Sequence, residues 1–225
     1  MRAWDLVMSH TVYACVVGSR AYGLAGDGSD TDRRGVFQAP TAMFWHLEKP
    51  PTHVDGPLAE QFSWELERCC TLALQANPTV LECLWSPLVE AVTPVGAELV
   101  AVRKAFLSRK VAHTYGDYAA DQLQKLEAVL TRHGEIRWKQ AMHMVRLLMA
   151  GAFVLRTGEV LVDVSDSREL LLSIKHGERS WDEVLALTDR LRSSLAAAAA
   201  ATSLPAEPDR DTVDDFLASA RRAAL

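Results

Sequence analysis

Hydrophobic positions change their spacing near Ser63, and this change predicts two structural regions. Before Ser63, short apolar runs alternate with glycine and proline, a pattern typical of strands joined by turns. After Ser63, apolar residues recur at a helical spacing with few interruptions. We therefore predict a mixed α+β region over residues 1–90 and a helical region over residues 91–225.

Individual runs predict the elements within each region. Apolar segments next to glycine or polar residues predict strands at residues 13–17, 32–37 and 57–62. Ser63 has a side chain that often begins a helix, and Asn77-Pro78 and Thr157-Gly158 are typical helix boundaries. The helices predicted in this way are residues 63–77, 78–86, 93–106, 111–132, 136–155, 165–176, 181–201 and 211–224.

Composition narrows the class of protein. The chain has 225 residues, of which 49% are hydrophobic, so it can form a substantial core and disorder is not expected. Its net charge of −5 gives no overall attraction to nucleic acid. A local basic patch remains compatible with that charge, so a nucleic-acid substrate is neither supported nor excluded.

Cysteine spacing and the lack of long apolar runs indicate the compartment. Cys15, Cys69, Cys70 and Cys83 lack the spacing of zinc sites, and we interpret them as buried, reduced thiols rather than redox groups. No segment approaches the roughly 18 apolar residues of a membrane-spanning helix, and the first residues lack the apolar stretch of a signal peptide. We expect a soluble cytoplasmic protein that does not bind membranes.

Two aspartates one residue apart, Asp30 and Asp32, are the first candidates for chemistry. On a strand, residues two apart project from the same face, so their carboxylates would lie close together. Such carboxylates repel each other unless a cation lies between them, and their oxygens suit Mg²⁺ or Mn²⁺. The competing interpretation is an aspartate-rich turn in which both side chains accept hydrogen bonds from backbone amides.

A glycine and a serine upstream favour the metal interpretation. Gly18-Ser19 ends an apolar run, where glycine permits close backbone approach and exposed amides can bind phosphate. Arg20 or Arg34 could add a charge-assisted hydrogen bond to a phosphate oxygen. A phosphate site and a metal site a dozen residues apart together predict binding of a nucleoside triphosphate.

These residues and several later ones resemble a known family. Gly18-Ser19 followed by Asp30-x-Asp32 is similar to the signature of the DNA polymerase beta type nucleotidyltransferase superfamily. The wider pattern resembles one branch, the predicted nucleotidyltransferases associated with RNA repair in bacteria and phages. The segments that carry the resemblance are Gly18-Ser19-Arg20-Ala21-Tyr22-Gly23-Leu24, Ser29-Asp30-x-Asp32-x-Arg34-Gly35-Val36, Leu72-Ala73-Leu74, Ala76-Asn77-Pro78-Thr79-Val80-Leu81-Glu82, Gln122-Leu123, Lys139-x-Ala141-Met142-His143-x-x-Arg146-Leu147-Leu148 and Leu204-Pro205.

The resemblance implies a minimal nucleotidyltransferase fold, a small mixed sheet with flanking helices, followed by a helical C-terminal domain that closes over the nucleotide. It implies transfer of a nucleoside monophosphate from a nucleoside triphosphate to a hydroxyl acceptor such as RNA. Gly18 and Ser19 would hold the β- and γ-phosphates, and Asp30 and Asp32 would bind the metals. The superfamily has a third carboxylate on a neighbouring strand, where it would hold the catalytic metal and take the proton of the acceptor, and the branch pattern points to Glu60. The alternatives are Glu65, for which helix capping is the favoured role, and Asp55, which resembles a turn residue.

A polar stripe on the most apolar predicted helix is the second candidate site. Lys139, His143 and Arg146 recur at positions i, i+4 and i+7, so they lie on one helical face. Together with the resemblance, this spacing favours binding of phosphate or acceptor over a solvated helix face. For Asn77 and Glu82, which lie in a matched segment, we favour structural roles.

Three functions are compatible with these observations. The first is a metal-dependent nucleotidyltransferase that acts on RNA or another hydroxyl acceptor. The second is a transferase that attaches AMP to a partner protein, which the acidic net charge favours slightly. The third is a sensor that binds a nucleoside triphosphate without catalysis, as expected if Glu60 does not reach the metals.

Overall fold

The chain folds into two compact units. The computed structural model describes residues 3–225; Met1 and Arg2, which belong to the predicted first region, lie outside the described residues. One unit, here the mixed unit, comprises residues 3–106 and Pro208–Leu225, and the other, the helical unit, is Leu107–Glu207. This division differs from the predicted boundary at residue 90, because residues 91–106 and Pro208–Leu225 both belong to the mixed unit.

The mixed unit contains a sheet to which the described residues contribute five strands. The strands are β1 (Thr11–Val17), β2 (Asp32–Phe37), β3 (His53–Asp55), β4 (Gln61–Glu65) and β5 (Leu88–Val92), in the order β3-β4-β2-β1-β5. Strand β2 runs parallel to β4, and the other neighbouring pairs are antiparallel. The central strands β1 and β2 are largely buried, whereas β5 is exposed along its length, as an edge strand can be.

Helices surround this sheet within the mixed unit. They are α1 (Ala3–His10), α2 (Gly18–Ala21), α3 (Leu66–Leu74), α4 (Pro78–Leu84), α5 (Pro94–Ala101) and, near the end of the chain, α10 (Arg210–Ala223). Helix α4 begins where predicted, because the Asn77 side chain accepts a hydrogen bond from the Val80 amide and Pro78 occupies the first helical position. Asn77 therefore has the structural role that we favoured.

Two sequence predictions near Ser63 are wrong. Ser63 does not begin a helix, because it is a buried residue in the middle of β4. The predicted strand at residues 57–62 overlaps β4 only at Gln61 and Phe62. The residue that caps α3 is Glu65, whose carboxylate accepts a hydrogen bond from the Glu67 amide at 2.7 Å. A serine followed by apolar residues was thus mistaken for a helix start two residues too early.

A buried ion pair attaches α10 to the sheet. Arg221 of α10 lies 2.9 Å from the Glu65 carboxylate, whose side chain is only 4% exposed. Its guanidinium also contacts the ring face of Phe44 and donates to the carbonyl of Ala39. Capping and this ion pair occupy Glu65, which matches the capping role favoured for it over metal binding.

The helical unit is organised around its most apolar helix. Its helices are α6 (Lys110–His133), α7 (Trp138–Thr157), α8 (Arg168–Lys175) and α9 (Trp181–Ala201). Helix α7 packs against the other three and is buried along most of its length, as its composition predicts. Helix α9 has the predicted bounds, because Ser180 and Glu183 form a reciprocal capping box at its start. None of the helices within residues 3–225 combines the length and the apolar character that crossing a membrane requires.

Candidate functional site

Gly18 is the first residue of the candidate site and lies where β1 ends and α2 begins. Its φ of 70° lies in the left-handed region that favours glycine. A β-carbon built at this position would overlap the Oδ2 atom of Asp32. The carboxylate of Asp32 therefore lies directly against the backbone of Gly18, and the glycine-serine and aspartate motifs meet in space.

Strand pairing explains how the two motifs come together. Val17, the last residue of β1, is the partner of Asp32, the first residue of β2. The connection between them returns through residues 18–31, so the phosphate motif and the first strand-borne aspartate share one end of the sheet. Asp30 lies in the loop before β2 and not in the strand. The prediction that Asp30 and Asp32 share one face of a strand is therefore wrong.

Arg20 orders the loop that carries Asp30. Its guanidinium donates hydrogen bonds to the carbonyls of Ser29 at 2.9 Å and Asp30 at 3.3 Å. These bonds link α2 to the aspartate loop, because Arg20 belongs to α2 and its guanidinium contacts the backbone of the loop. The predicted contact of Arg20 with phosphate is thus joined by a structural contact that sequence reasoning did not find.

A buried hydrogen bond holds the segment after Gly18 in place. The hydroxyl of Tyr22 donates to the carboxylate of Glu82 on α4 at 2.6 Å, and both residues are buried. The amides of Tyr22 and Leu24 donate to the carbonyls of Gly18 and Ser19. The structural role favoured for Glu82 is therefore found, and it consists of fixing the turn that follows the candidate phosphate site.

Glu60 lies beside this end of the sheet, but its side chain does not complete a cluster of three carboxylates. Arg33 pairs with Gln61, so Asp32 and Glu60 occupy the preceding positions of the parallel strands. Glu60 has a φ of 56°, and its side chain is 60% exposed with its carboxylate 4.0 Å from Arg34. Across residues 3–225, no three histidine, cysteine or acidic side chains gather closely enough to hold a metal ion. Asp55, the other alternative, is exposed on the edge strand β3.

Arg34 uses part of its guanidinium to hydrogen-bond the backbone near the starts of β2 and β4. Its Nη1 atom donates to the carbonyls of Arg33 and Glu60, and the guanidinium stacks 4.3 Å from the centre of the Phe62 ring. The remaining Nε donor is buried without a hydrogen-bond partner among the described residues. Arg34 thus has at most part of its donor capacity available to a phosphate.

The donor set at this end of the sheet fits a magnesium nucleotide. Mg²⁺ is commonly held by one or two protein carboxylates together with substrate phosphates, without a cage made only of protein. Asp30 and Asp32 supply two carboxylates, and Asp32 lies against a glycine backbone of the kind that approaches phosphates closely. These two residues could hold the ion, and the phosphates would supply further oxygen ligands.

The predicted stripe on α7 divides into two parts. Lys139 and His143 line a pocket together with Arg137, whereas Arg146 is buried and does not line it. Burial, followed by the charges of Arg146, Lys139 and Lys175, lowers the pKa of His143 to about 4. The imidazole is therefore neutral at pH 7, and its positive surroundings would attract an anion.

The buried thiols agree with their sequence interpretation. All four cysteines are free and buried. Cys15 on β1 and Cys83 on α4 lie with their Sγ atoms 3.4 Å apart, and the hydrogen bond from Cys83 is the main cause that lowers the pKa of Cys15. The Tyr13 hydroxyl donates to the carbonyl of Cys83, so this cluster fastens α4 to the sheet.

Comparisons with known proteins agree with the motifs. The sequence profile of the RNA repair pathway DNA polymerase beta family matches residues 6–219. Among curated proteins, the chain is similar to the uncharacterized protein YcgL of Bacillus subtilis (strain 168), with 24% identity over 154 residues that make up 66% of this chain and 58% of the relative. The alignment thus spans less than two thirds of that relative's length. No solved structure gives a significant match.

Proposed function

This chain belongs to the RNA repair pathway DNA polymerase beta family, and we propose that it is a metal-dependent nucleotidyltransferase. It transfers a nucleoside monophosphate from a nucleoside triphosphate to a hydroxyl acceptor, for which the family favours RNA. The observation that carries this proposal is the contact of Asp32 with Gly18. It brings a metal-binding carboxylate and a backbone suited to phosphate to the same end of one sheet.

Each residue has a defined task in this proposal. Gly18 and Ser19 bind the terminal phosphates through backbone amides and the serine hydroxyl. Asp30 and Asp32 would hold Mg²⁺. A bound metal ion would supply positive charge that offsets the charge developing on the transferred phosphoryl group and its leaving oxygen. Arg20 keeps the Asp30 loop in place through its bonds to the carbonyls of residues 29 and 30.

Glu60 is the residue that we assign to the acceptor hydroxyl. It precedes β4 at the position beside Asp32, and its exposed side chain can move away from Arg34 at little cost because the 4.0 Å pair is weak. A carboxylate at this position takes the proton as the hydroxyl attacks. Glu60→Gln should therefore slow transfer without weakening binding of the nucleotide, whereas Asp55→Asn should change neither.

Replacement of the two aspartates tests the proposal most directly. Asp30→Asn and Asp32→Asn should each abolish labelling of RNA by α-³²P nucleoside triphosphates, because an amide oxygen binds Mg²⁺ more weakly than a carboxylate. Asp27→Asn, a change of an exposed aspartate in the same loop, is the matched control. Undiminished labelling by the Asp32 variant would remove this site from the mechanism.

One observation favours a second function, nucleotide sensing without transfer. Glu60 is not gathered with Asp30 and Asp32 into a three-carboxylate cluster in the described structure. A sensor would bind nucleoside triphosphates tightly but release no pyrophosphate with RNA oligonucleotides or with proteins from a cell extract as acceptors. Labelled protein in the same assay would instead identify the AMP-attaching activity, which the acidic charge of the chain favours.

A further inference from the structure

The helical unit contains a pocket of about 390 Å³ beside the start of α7. It includes Lys139 and His143 of the predicted stripe, and Gln122 and Leu147 from the segments that carry the resemblance, whereas Arg137 and Gln140 were not predicted. The pocket is lined by Gln122, Arg137, Lys139, Gln140, His143 and Leu147. Gln122 comes from α6 and the other residues from α7 or the residue before it.

The charged side chains that line this pocket are all positive. Arg137 and Lys139 are exposed at its wall, and within the described part of the chain no carboxylate lines it. Lys175 of α8 and Arg146 of α7 add positive potential at the His143 ring. Since like charges repel, such a cluster is best stabilised by a bound anion.

Hydrogen-bond donors accompany the charges. Gln140 donates to the side-chain oxygen of Gln122, which joins α6 and α7 at the pocket. An amide nitrogen carries two N–H groups, so the pair retains further donors after this bond is made. The neutral His143 ring adds an N–H donor. Charged groups and fixed N–H donors together suit the oxygens of a phosphate.

The rest of the helical unit does not share this character. Between Leu107 and Glu207, 13 lysines and arginines stand against 13 aspartates and glutamates, so the unit is neutral overall. A second groove of the unit, between α8 and α9, is lined by Arg179, Arg190 and Glu183 and by five aliphatic residues, and Arg179 pairs with Glu183. The first pocket differs from it because no carboxylate in its wall offsets the cations.

We propose that this pocket binds a phosphate group of a nucleotide, carried either by an RNA strand or by a free nucleoside triphosphate. Arg137 and Lys139 contact the phosphate oxygens, and the Gln122–Gln140 pair and His143 orient it. The residues of this pocket all belong to the helical unit, whereas Gly18 and Asp32 of the proposed transfer site belong to the mixed unit. Only the choice of RNA as a probe rests on the proposed function.

Removal of the two wall charges tests the site in the full chain. All variants compared here carry Asp32→Asn, so that ATP bound at the proposed transfer site does not hide the pocket. In this background we expect Arg137→Gln/Lys139→Gln to bind a labelled single-stranded oligoribonucleotide of about 12 nucleotides, or ATP, about tenfold more weakly than the parent protein with Asp32→Asn alone. The slope of log K against log salt for RNA should fall by about 0.7 for each phosphate that the variant no longer binds. The matched control, Arg132→Gln/Arg192→Gln, removes two exposed charges of the helical unit that do not line the pocket and should change affinity less than about twofold.

The His143 ring reports occupancy independently of affinity. A bound phosphate offsets the charges of Lys139, Arg146 and Lys175, so the pKa of His143 should rise and its NMR signals at pH 5 should move toward the protonated form. Inorganic phosphate, ATP and the oligoribonucleotide are the three probes. A response to RNA but not to ATP assigns the pocket to an RNA strand, and a response to ATP at equal or lower concentration assigns it to the triphosphate.

The proposal is overturned if none of the three probes moves the His143 signals, or if Arg137→Gln/Lys139→Gln binds RNA and ATP no more weakly than the control variant. Such a result leaves nucleotidyl transfer untouched, because binding and not transfer is measured. Conversely, loss of transfer in the Asp32→Asn variant does not change the expected response of His143. Failure of either proposal is therefore visible without failure of the other.

Discussion

The two units differ in net charge and in how their charged residues are distributed. Outside residues 107–207, the sequence has 16 aspartates and glutamates against 11 lysines and arginines, so the mixed unit accounts for the whole net charge of −5. The helical unit is neutral overall but gathers cations at one pocket. The net charge of a chain therefore says little about where it can bind a phosphate, because binding depends on the few groups within a Debye length of the site.

The two candidate sites also differ in the groups that form them, which are mainly backbone in the mixed unit and side chains in the helical unit. In the mixed unit, the site depends on unusual backbone at Gly18 and on the register of β1 and β2. In the helical unit, regular helices present side chains such as Lys139 and Gln122 toward a common pocket. Backbone sites are sensitive to a single added carbon atom, whereas side-chain sites respond gradually to the removal of charges. The following predictions use this difference, from the largest expected effect to the smallest.

Arg221→Met should destabilise the mixed unit by about 3 kcal/mol, because it leaves the buried Glu65 carboxylate without its ion-pair partner. Regional hydrogen exchange monitored by mass spectrometry should show faster exchange in the sheet and no change in the helical unit. The control Arg222→Met, at an exposed neighbouring position, should stay within about 0.5 kcal/mol. Equal losses in both variants would show that the ion pair is not what holds α10.

Gly18→Ala should reduce nucleotidyl transfer by about a hundredfold, because the new methyl group displaces the Asp32 carboxylate and small misplacements of reacting groups are costly. Gly28→Ala is a closely matched control. Gly28 also has a positive φ, of 79°, but a β-carbon there meets no atom within 4 Å. If the two variants lose the same activity, backbone strain and not the Asp32 contact explains the loss.

Tyr22→Phe should cost about 1–2 kcal/mol, because it removes a donor from the buried Glu82 carboxylate. The loosened turn after Gly18 should raise the KM for the nucleoside triphosphate more than it lowers kcat. Glu82→Gln should have a smaller effect on both quantities, since its amide oxygen still accepts from the Tyr22 hydroxyl. Thermal unfolding and steady-state kinetics of the two variants provide the measurement.

The smallest effect is the change in stability of the helical unit between pH 7 and pH 6, which should be below about 1 kcal/mol. His143 has a pKa of about 4 in the folded chain, below its usual value of about 6.5, so the unfolded chain binds the proton first as the pH falls. Stability should therefore decrease as the pH drops from about 6.5 toward 4. His143→Gln should lack this part of the decrease, which thermal unfolding at several pH values will show. An identical pH profile in the two proteins would contradict it.

Local signals made a large part of the fold predictable from the sequence. Strand β2 and helix α9 have the bounds that were predicted, because Asp32 follows a turn and Ser180 begins a capping box. The prediction for the region around Glu65 was wrong, because the role of Glu65 depends on Arg221, a residue far away in the sequence. Strand β5 was missed because it is an exposed edge strand without an alternating apolar pattern.

The candidate sites show the same limit. Gly18 and Asp32 were found because a short motif fixes both residue types, and the register of two strands then brings them together. Glu60 was assigned by the resemblance, yet neither its positive φ nor its contact with Arg34 had a signal in the sequence. Arg137 and Gln140 were missed because a pocket formed between helices has no signal in the spacing of one helix.

The return of α10 to the mixed unit has a consequence for synthesis of the chain. The helical unit is continuous in sequence, so every residue that it needs has been translated once Glu207 has emerged from the ribosome. Most of the mixed unit is translated first, but its native contacts can form fully only at the end of synthesis. Glu65 has no ion-pair partner until Arg221 has been translated. Domains generally fold as units during translation. We therefore expect the inserted helical unit to reach its native state first, while the sheet that precedes it stays incomplete and open to chaperones.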